Sequence, residues 1–215
     1  MKSTLISIII SLAFSTLYSQ SVTIGTQVWM AENLNVEKFR NGENIPLAKT
    51  QDEWLEAGLN EQPAWCYYNN DPVIGAKYGK LYNWYAVNDP RGLAPEGWSI
   101  PSKNDVLTLV NYLGGELNAG EKLKSTSGWS QVKGKNSIGF NALPGGWRDH
   151  LGIFVHVDYT GETEPVDSFG QHGDWWLTSE SEENGECFYL LNADNTVYFD
   201  RSMKSCGFSV RTVKK

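Results

Sequence analysis

Pro101-Ser-Lys-Asn-Asp-Val-Leu-Thr-Leu-Val-Asn-Tyr-Leu-Gly-Gly115 is the stretch on which the fold class turns. Ser102 stands where an N-cap belongs, and Asp105 three residues on completes an approximate capping box. Val106, Leu109, Val110 and Leu113 then share one apolar stripe, and Gly114-Gly115 closes the helix. Toward the N-terminus, Thr50-x-x-Glu53 starts a second short helix through Trp54, Leu55 and Ala57, ended by Gly58. The spacing of Leu81, Trp84 and Tyr85 predicts helix over 79–87, halted by Asn88-Asp89-Pro90. A further helical turn is expected through Glu121, Leu123 and Lys124. Residues 63–71 read as a strand running into a polar turn, and Val22, Ile24 and Val28 as a hairpin around Gly25-Thr26.

Beyond Gly128 the pattern changes to short strands and glycine turns. Phe188 and Leu190, then Val197 and Phe199, flank Asn192-Ala-Asp-Asn195 as a hairpin, and Phe208 with Val210 marks a final strand. The expected class is α+β: two or three short helices packed on small antiparallel sheets, with a strand-rich C-terminal half.

Lys2 is the only charge before Glu32, and an apolar run from Leu5 to Phe14 follows it. Ten helical residues rise about 15 Å, half the hydrocarbon core of a bilayer, so this run is too short for a membrane anchor. It reads as a secretory signal, residues 1–19, with cleavage near Ser19. Residues 20–215 are then one domain without membrane insertion, secreted or held at the cell surface. The net charge is −7, one unit more negative once the signal with its single Lys is gone. Such an acidic chain without a basic stripe argues against a nucleic-acid partner. Nine Trp and ten Tyr supply large rings for a core or for stacking on sugars and peptides.

Three cysteines, Cys66, Cys187 and Cys206, remain in the mature chain. Cys187 and Cys206 are the expected disulfide, because the loop between them is short and its flanks read as neighbouring strands. No Cys-x-x-Cys or Cys/His cluster suggests zinc.

Several segments together carry a resemblance. They are Val22-Thr-Ile-Gly-Thr-Gln-Val-Trp-Met-Ala-Glu-Asn-Leu34, Tyr78-Gly-Lys-Leu-Tyr-Asn-Trp-Tyr-Ala-Val87, Gly92-Leu-Ala-Pro-Glu-Gly-Trp98, Phe140-Asn-Ala-Leu-Pro-Gly-Gly146, Asp174-Trp-Trp176 and Gly207-Phe-Ser-Val-Arg211. In that order they resemble the Fibrobacter succinogenes major paralogous domain, found in secreted and surface proteins. The resemblance implies no particular activity. More distantly, Trp98-Ser-Ile-Pro-Ser before a helix and the terminal Gly-Phe-Ser-Val-Arg strand are similar to the C-type lectin-like fold in its formylglycine-generating-enzyme branch. That likeness places Cys187 and Cys206 like the inner disulfide of C-type lectins. Thr212 stands where the major paralogous family usually has a cysteine, which leaves Cys66 without a mate.

The lectin likeness invites a calcium site, but its motifs are broken. Val166 follows Glu164-Pro165 in place of Asn, and Tyr198-Phe-Asp200 lacks the Asn-Asp pair. No metal or cofactor is therefore expected, although Asp174, Glu180, Glu182, Glu183 and Glu186 leave a different cation site open. His150, His156 and His172 lie near Asp149, Asp158 and Asp174, and alternation would put His156 and Asp158 on one face. No nucleophile elbow or zinc-protease helix occurs. Of the adjacent Trp175 and Trp176, one ring is expected in the core and the other more exposed.

Two patches are the expected ligand contacts. Trp147-Arg148-Asp149 follows Pro144-Gly-Gly146, a turn expected to lift the three side chains outward. Tyr189, Tyr198, Asp200 and Arg201, with Asn192, Asp194 and Asn195 at the hairpin tip, are expected to project from the C-terminal strands. The function expected is a secreted, non-catalytic module that binds an extracellular glycan or protein. A structural component of the cell surface is the alternative, and an enzyme of the formylglycine-generating branch the third.

Overall fold

The computed structural model describes residues 20–154 and 169–214. The expected signal, the His156/Asp158 pair and the Glu164-Pro165-Val166 segment lie outside them. Strands β1 (Ser21–Ile24) and β2 (Gln27–Met30) form the opening hairpin, and α1 (Gln51–Leu59) follows. Next come β3 (Trp65–Cys66), α2 (Pro72–Tyr78), β4 (Leu81–Tyr82) and α3 (Trp84–Val87). Strand β5 (Trp98–Ser99) precedes α4 (Lys103–Tyr112) and α5 (Glu116–Leu123). The C-terminal half holds β6 (His172–Glu180), β7 (Asn184–Leu191), β8 (Val197–Met203) and β9 (Val213–Lys214). The class is α+β, as the pattern predicts, with three small antiparallel sheets ordered β1-β2-β9-β5, β3-β4 and β6-β7-β8. No helix among the described residues is long and apolar enough to cross a membrane.

Helix α4 forms as its sequence dictates. The Ser102 hydroxyl accepts from the Asp105 N–H, and the Asp105 carboxylate accepts from the Ser102 N–H at 2.8 Å. Val106, Leu109 and Val110 pack into a core with Trp29, Trp129, Trp175 and Phe188. Helix α1 has the full Thr50/Glu53 capping box. The 79–87 segment differs from expectation. Asn83 caps a helix of only one turn, and Leu81–Tyr82 becomes a strand, because Tyr82 pairs with Phe208 instead of continuing the helix. Pro72–Tyr78 is an unexpected helix, with Asp71 accepting from the Val73 N–H and Pro72 in its first turn.

The segment 206–212 is not a regular strand. It runs as a strap through the middle of the molecule, bridging to several elements in turn. Gly207 exchanges backbone hydrogen bonds with Arg148, Phe208 with Tyr82, and Ser209 links Asp174 to Trp176. A Cβ on Gly207 would lie 2.8 Å from the Trp54 ring, so only glycine lets the strap pass there. The register of the third sheet is fixed by Asp174↔Tyr189↔Tyr198 and Trp176↔Cys187↔Asp200. One face of that sheet carries Trp175, Phe188 and Leu190 into the core around α4. The other turns toward the strap.

Both Trp175 and Trp176 are fully buried, which corrects the expected division between them. Both faces of β6 are covered at this point. Trp175 stacks on Phe188 at 5.1 Å, and Trp176 lies 4.3 Å from Phe208 and donates to the Tyr82 carbonyl. The expected Cys187–Cys206 disulfide is also corrected. All three cysteines are free and buried, and Cys187 and Cys206 sit as apolar side chains in one hydrophobic cluster with Trp176 and Phe208. Burial pushes the Cys66 thiol up to about 11 and the Cys206 thiol up to about 12, and raises Cys187 as well. All three therefore stand as protonated, inert groups.

Candidate functional site

The strap-facing side of the third sheet holds a small open cleft of about 90 Å³. Trp147, Phe208 and Tyr189 give it aromatic walls, and His172, Asp174 and Asp200 give it polar ones, with Cys187 and Ser202 between. Strand alternation explains the gathering. His172 and Asp174 are two residues apart on β6, Tyr189 lies opposite Asp174, and Asp200 lies opposite Cys187. Trp147 enters from the loop ahead of the Arg148–Gly207 bridge and meets Phe208 edge-on at 5.8 Å.

Asp174 is the unusual member. It is 7% exposed, and its Oδ2 has no hydrogen-bond partner among the described residues. The nearest cationic candidate is His172, whose Nδ1 stands 3.9 Å from that oxygen, too far for a hydrogen bond. Burial holds the Asp174 carboxyl well above the usual carboxylate range, which favours its protonated form. An unsatisfied buried oxygen costs stability; Asn195 Oδ1 and Thr212 Oγ1 share the condition, but of the three residues Asp174 alone lines the cleft.

The two expected patches fare differently. Trp147, Tyr189 and Asp200 line the one cleft, and Tyr198 backs it by stacking on Tyr189 at 5.0 Å. The Tyr198 hydroxyl donates to Asp194 at 2.7 Å, which raises its pKa and holds the ring in place. Asn192 turns instead to the Ser130 hydroxyl.

Arg148 does not lift outward. It is 1% exposed, and its guanidinium lies 4.7 Å from the rings of both Trp54 and Phe154. Its Nε donates to Gly152, Nη1 to Ala48 and Nη2 to Thr50, all backbone carbonyls at 2.8–2.9 Å. The backbone bridge to Gly207 sends the side chain inward, where it is buried among backbone carbonyls and rings and does not face a ligand. Asp149 is taken up by its own loop, accepting from the N–H groups of Leu151 and Ile153. Arg201 is on the face opposite Asp200, where it lies 3.7 Å from Glu186. A period of two forbids neighbours from projecting together.

The acidic stretch 174–186 likewise disperses. Glu180 pairs with Lys204 at 2.6 Å, Glu186 with Arg201, and Asp174 stays in the cleft. Among the described residues no group of three or more His, Cys, Asp or Glu is placed to hold a metal ion. The sequence offers alternation for His156 and Asp158, and the same argument, not drawn there, applies to His172 and Asp174 on β6. Their i, i+2 spacing ahead of two tryptophans was the available signal.

The fold and cleft define an α+β domain whose C-terminal sheet presents an aromatic, acidic hollow. Residues 22–214 match the Fibrobacter succinogenes major domain, and the chain belongs to that family. No curated protein and no solved structure matches it.

Proposed function

We propose that this chain is a secreted, non-catalytic binding module of C-type lectin-like fold whose extracellular ligand, a glycan or a protein, seats in the Trp147–Tyr189–Asp174 cleft. The observation that carries this reading is the buried, unpartnered Asp174 oxygen at an aromatic hollow, which a ligand donor would satisfy. Rings with a few convergent polar groups are the common make-up of a small recognition site. Catalysis is disfavoured by the same geometry. Cys187 has a raised thiol pKa, and no hydrogen bond joins His172 to Asp174 as an acid–base pair would need. Lectin-type calcium has no part in this reading, since its motifs are broken in the sequence.

A screen of immobilised glycans and extracellular proteins, run with calcium and with chelator, tests the reading. Binding that survives chelation and is lost in Trp147→Ala is the expected result. Binding that needs calcium, or that ignores Trp147→Ala, would overturn it.

A further inference from the structure

We propose that the cleft receives an organic cation, an ammonium or guanidinium group of its ligand. This rests on the cleft being the binding site, and it names the chemistry bound there. The chain itself shows how it holds cations. Arg148 lies between Trp54 and Phe154 with carbonyl oxygens on its donors. The Lys80 ammonium sits 4.3 Å from the Trp65 ring and 4.7 Å from Tyr67, and donates to the Asn35 side chain and the Tyr67 hydroxyl. Ring faces plus oxygen acceptors are the recurring solution.

The cleft has the same two ingredients and lacks the third. Trp147, Tyr189 and Phe208 supply rings, and Asp174 and Asp200 supply oxygens, yet no lysine or arginine among the described residues lines it. The chain's own arginines nearest in sequence are spent elsewhere, Arg148 on carbonyls and Arg201 on Glu186. An anion would face two carboxyl groups. A bare metal ion would find too few ligands among the described residues. A neutral hydroxyl could satisfy the Asp174 oxygen but would leave the carboxyl protonated and the ring faces without a charge, whereas a cation draws off that proton and meets the rings as well.

The charge bookkeeping is simple. The neutral Asp174 carboxyl gives up its proton to solvent as the cation enters, and the ion pair forms in place of the O–H. Groups facing Asp174 are His172 on its own strand, Cys187 and Tyr189 on β7 and Asp200 on β8, with Cys206 of the strap nearby. Low pH opposes binding, because Asp174 keeps its proton there. Affinity therefore rises with pH.

Calorimetry on the purified protein with tetralysine, tetra-arginine and a glucosamine tetramer, the lysine and sugar amines also in N-acetylated form, provides the test. The charged peptides should bind with release of a proton, more tightly at about pH 8 than at about pH 5, and the glucosamine tetramer, whose amines lose their own protons near neutrality, is compared with them at about pH 6. The acetylated forms should bind at least about tenfold more weakly, and Asp174→Asn should weaken the charged probes about thirtyfold. Whichever of peptide or sugar binds tighter identifies the source of the cation. Glu183→Gln, on the exposed loop, should change nothing, and an equal loss there would reduce the effect to general charge attraction and overturn the proposal. Acetylated probes binding as well as charged ones, with Trp147→Ala still harmful, would overturn the cation and keep the cleft. No binding by any charged probe overturns the cation, and binding indifferent to both Trp147→Ala and Asp174→Asn overturns the cleft as well. A thermal melt of Asp174→Asn that is no lower than wild type excludes unfolding as the cause of a loss.

Discussion

The Arg148 cluster and the Asp174 cleft lie on either side of one strap residue pair and treat buried charge in opposite ways. At Arg148, three donors meet three carbonyls and the guanidinium meets two rings. Arg211 repeats the solution. It is fully buried, and its donors reach Asn33 and the carbonyls of Met30, Phe140 and Asn141 while its guanidinium lies 4.5 Å from the Phe140 ring. Burial lowers its pKa to about 9, a measure of what water withheld from it costs. Lys124 does the same at the hairpin tip, with Nζ donating to the carbonyls of Leu191, Val132 and Asp194. These cations cross-link irregular segments that have no sheet ladder to satisfy their carbonyls. Asp174 is equally buried but leaves an oxygen unanswered. Saturated charges hold the scaffold; the unsaturated one marks where something else must come.

The sharpest way to break that contrast is Arg148→Met. Removing the guanidinium strands the carbonyls of Ala48, Thr50 and Gly152 in a buried place, so unfolding free energy should fall by about 3–5 kcal/mol. Urea denaturation measures it, and a loss below about 1 kcal/mol would mean that the cluster is not structural. Trp147→Ala comes next. It should weaken a cleft ligand by about 2 kcal/mol, roughly thirtyfold, in calorimetry, with far less effect on the fold because the ring is only half-buried.

Asp174→Asn should work in the reverse direction on stability. The folded state holds the Asp174 proton to higher pH than the unfolded chain does, because burial raises its pKa. Its stabilising contribution is complete below the ordinary carboxylate value, about 3.9, and is lost as pH rises toward the raised one. The asparagine cannot ionise, so the variant should gain on wild type as pH increases, by about 1 kcal/mol at neutrality. Denaturation across pH checks the sign. A gap that narrows as pH rises would show that Asp174 is already paired in the folded chain.

How much of this was legible in sequence depends on how local each cause is. Helix α4 and the β7–β8 hairpin are fixed by caps, stripes and turn residues within a few positions, and both stand where the pattern puts them. Helix α2 carried its own signal, Asp71-Pro72, but a run of polar residues ahead of it read as a turn. The strap hid because its bridges reach three separate partners and leave no alternating pattern of their own. Arg148 hid for a stronger reason. The carbonyl that receives its Nη1 belongs to Ala48, 100 residues away, and nothing near Gly146 announces it. Tyr189 and Asp200 could be placed from alternation alone, and Trp147 from the turn, yet their meeting in one hollow with His172 and Asp174 needed the sheet register.

Arg201→Ala gives the smallest expected effect and the cleanest discrimination between the two faces of the sheet. Asp200 and Arg201 are neighbours, so a patch drawn on sequence includes both. In the sheet, Asp200 shares a face with Tyr198 and Tyr189, while Arg201 is opposite Glu186 on the face of Phe188 and Phe199. The Arg201 side chain is 61% exposed and lies 3.7 Å from the Glu186 carboxylate, a pair that solvent screens. Losing it should cost no more than about 0.5 kcal/mol of stability. Affinity for a cleft ligand should not change, because the side chain is on the far side of the sheet. Titrating Trp147→Ala and Arg201→Ala against the same ligand makes the comparison direct. If Arg201→Ala weakens binding as much as Trp147→Ala does, the ligand spans the sheet edge and the cleft is only part of its footprint. If it alone weakens binding, recognition belongs to the opposite face, and the unpaired Asp174 oxygen has been given the wrong meaning.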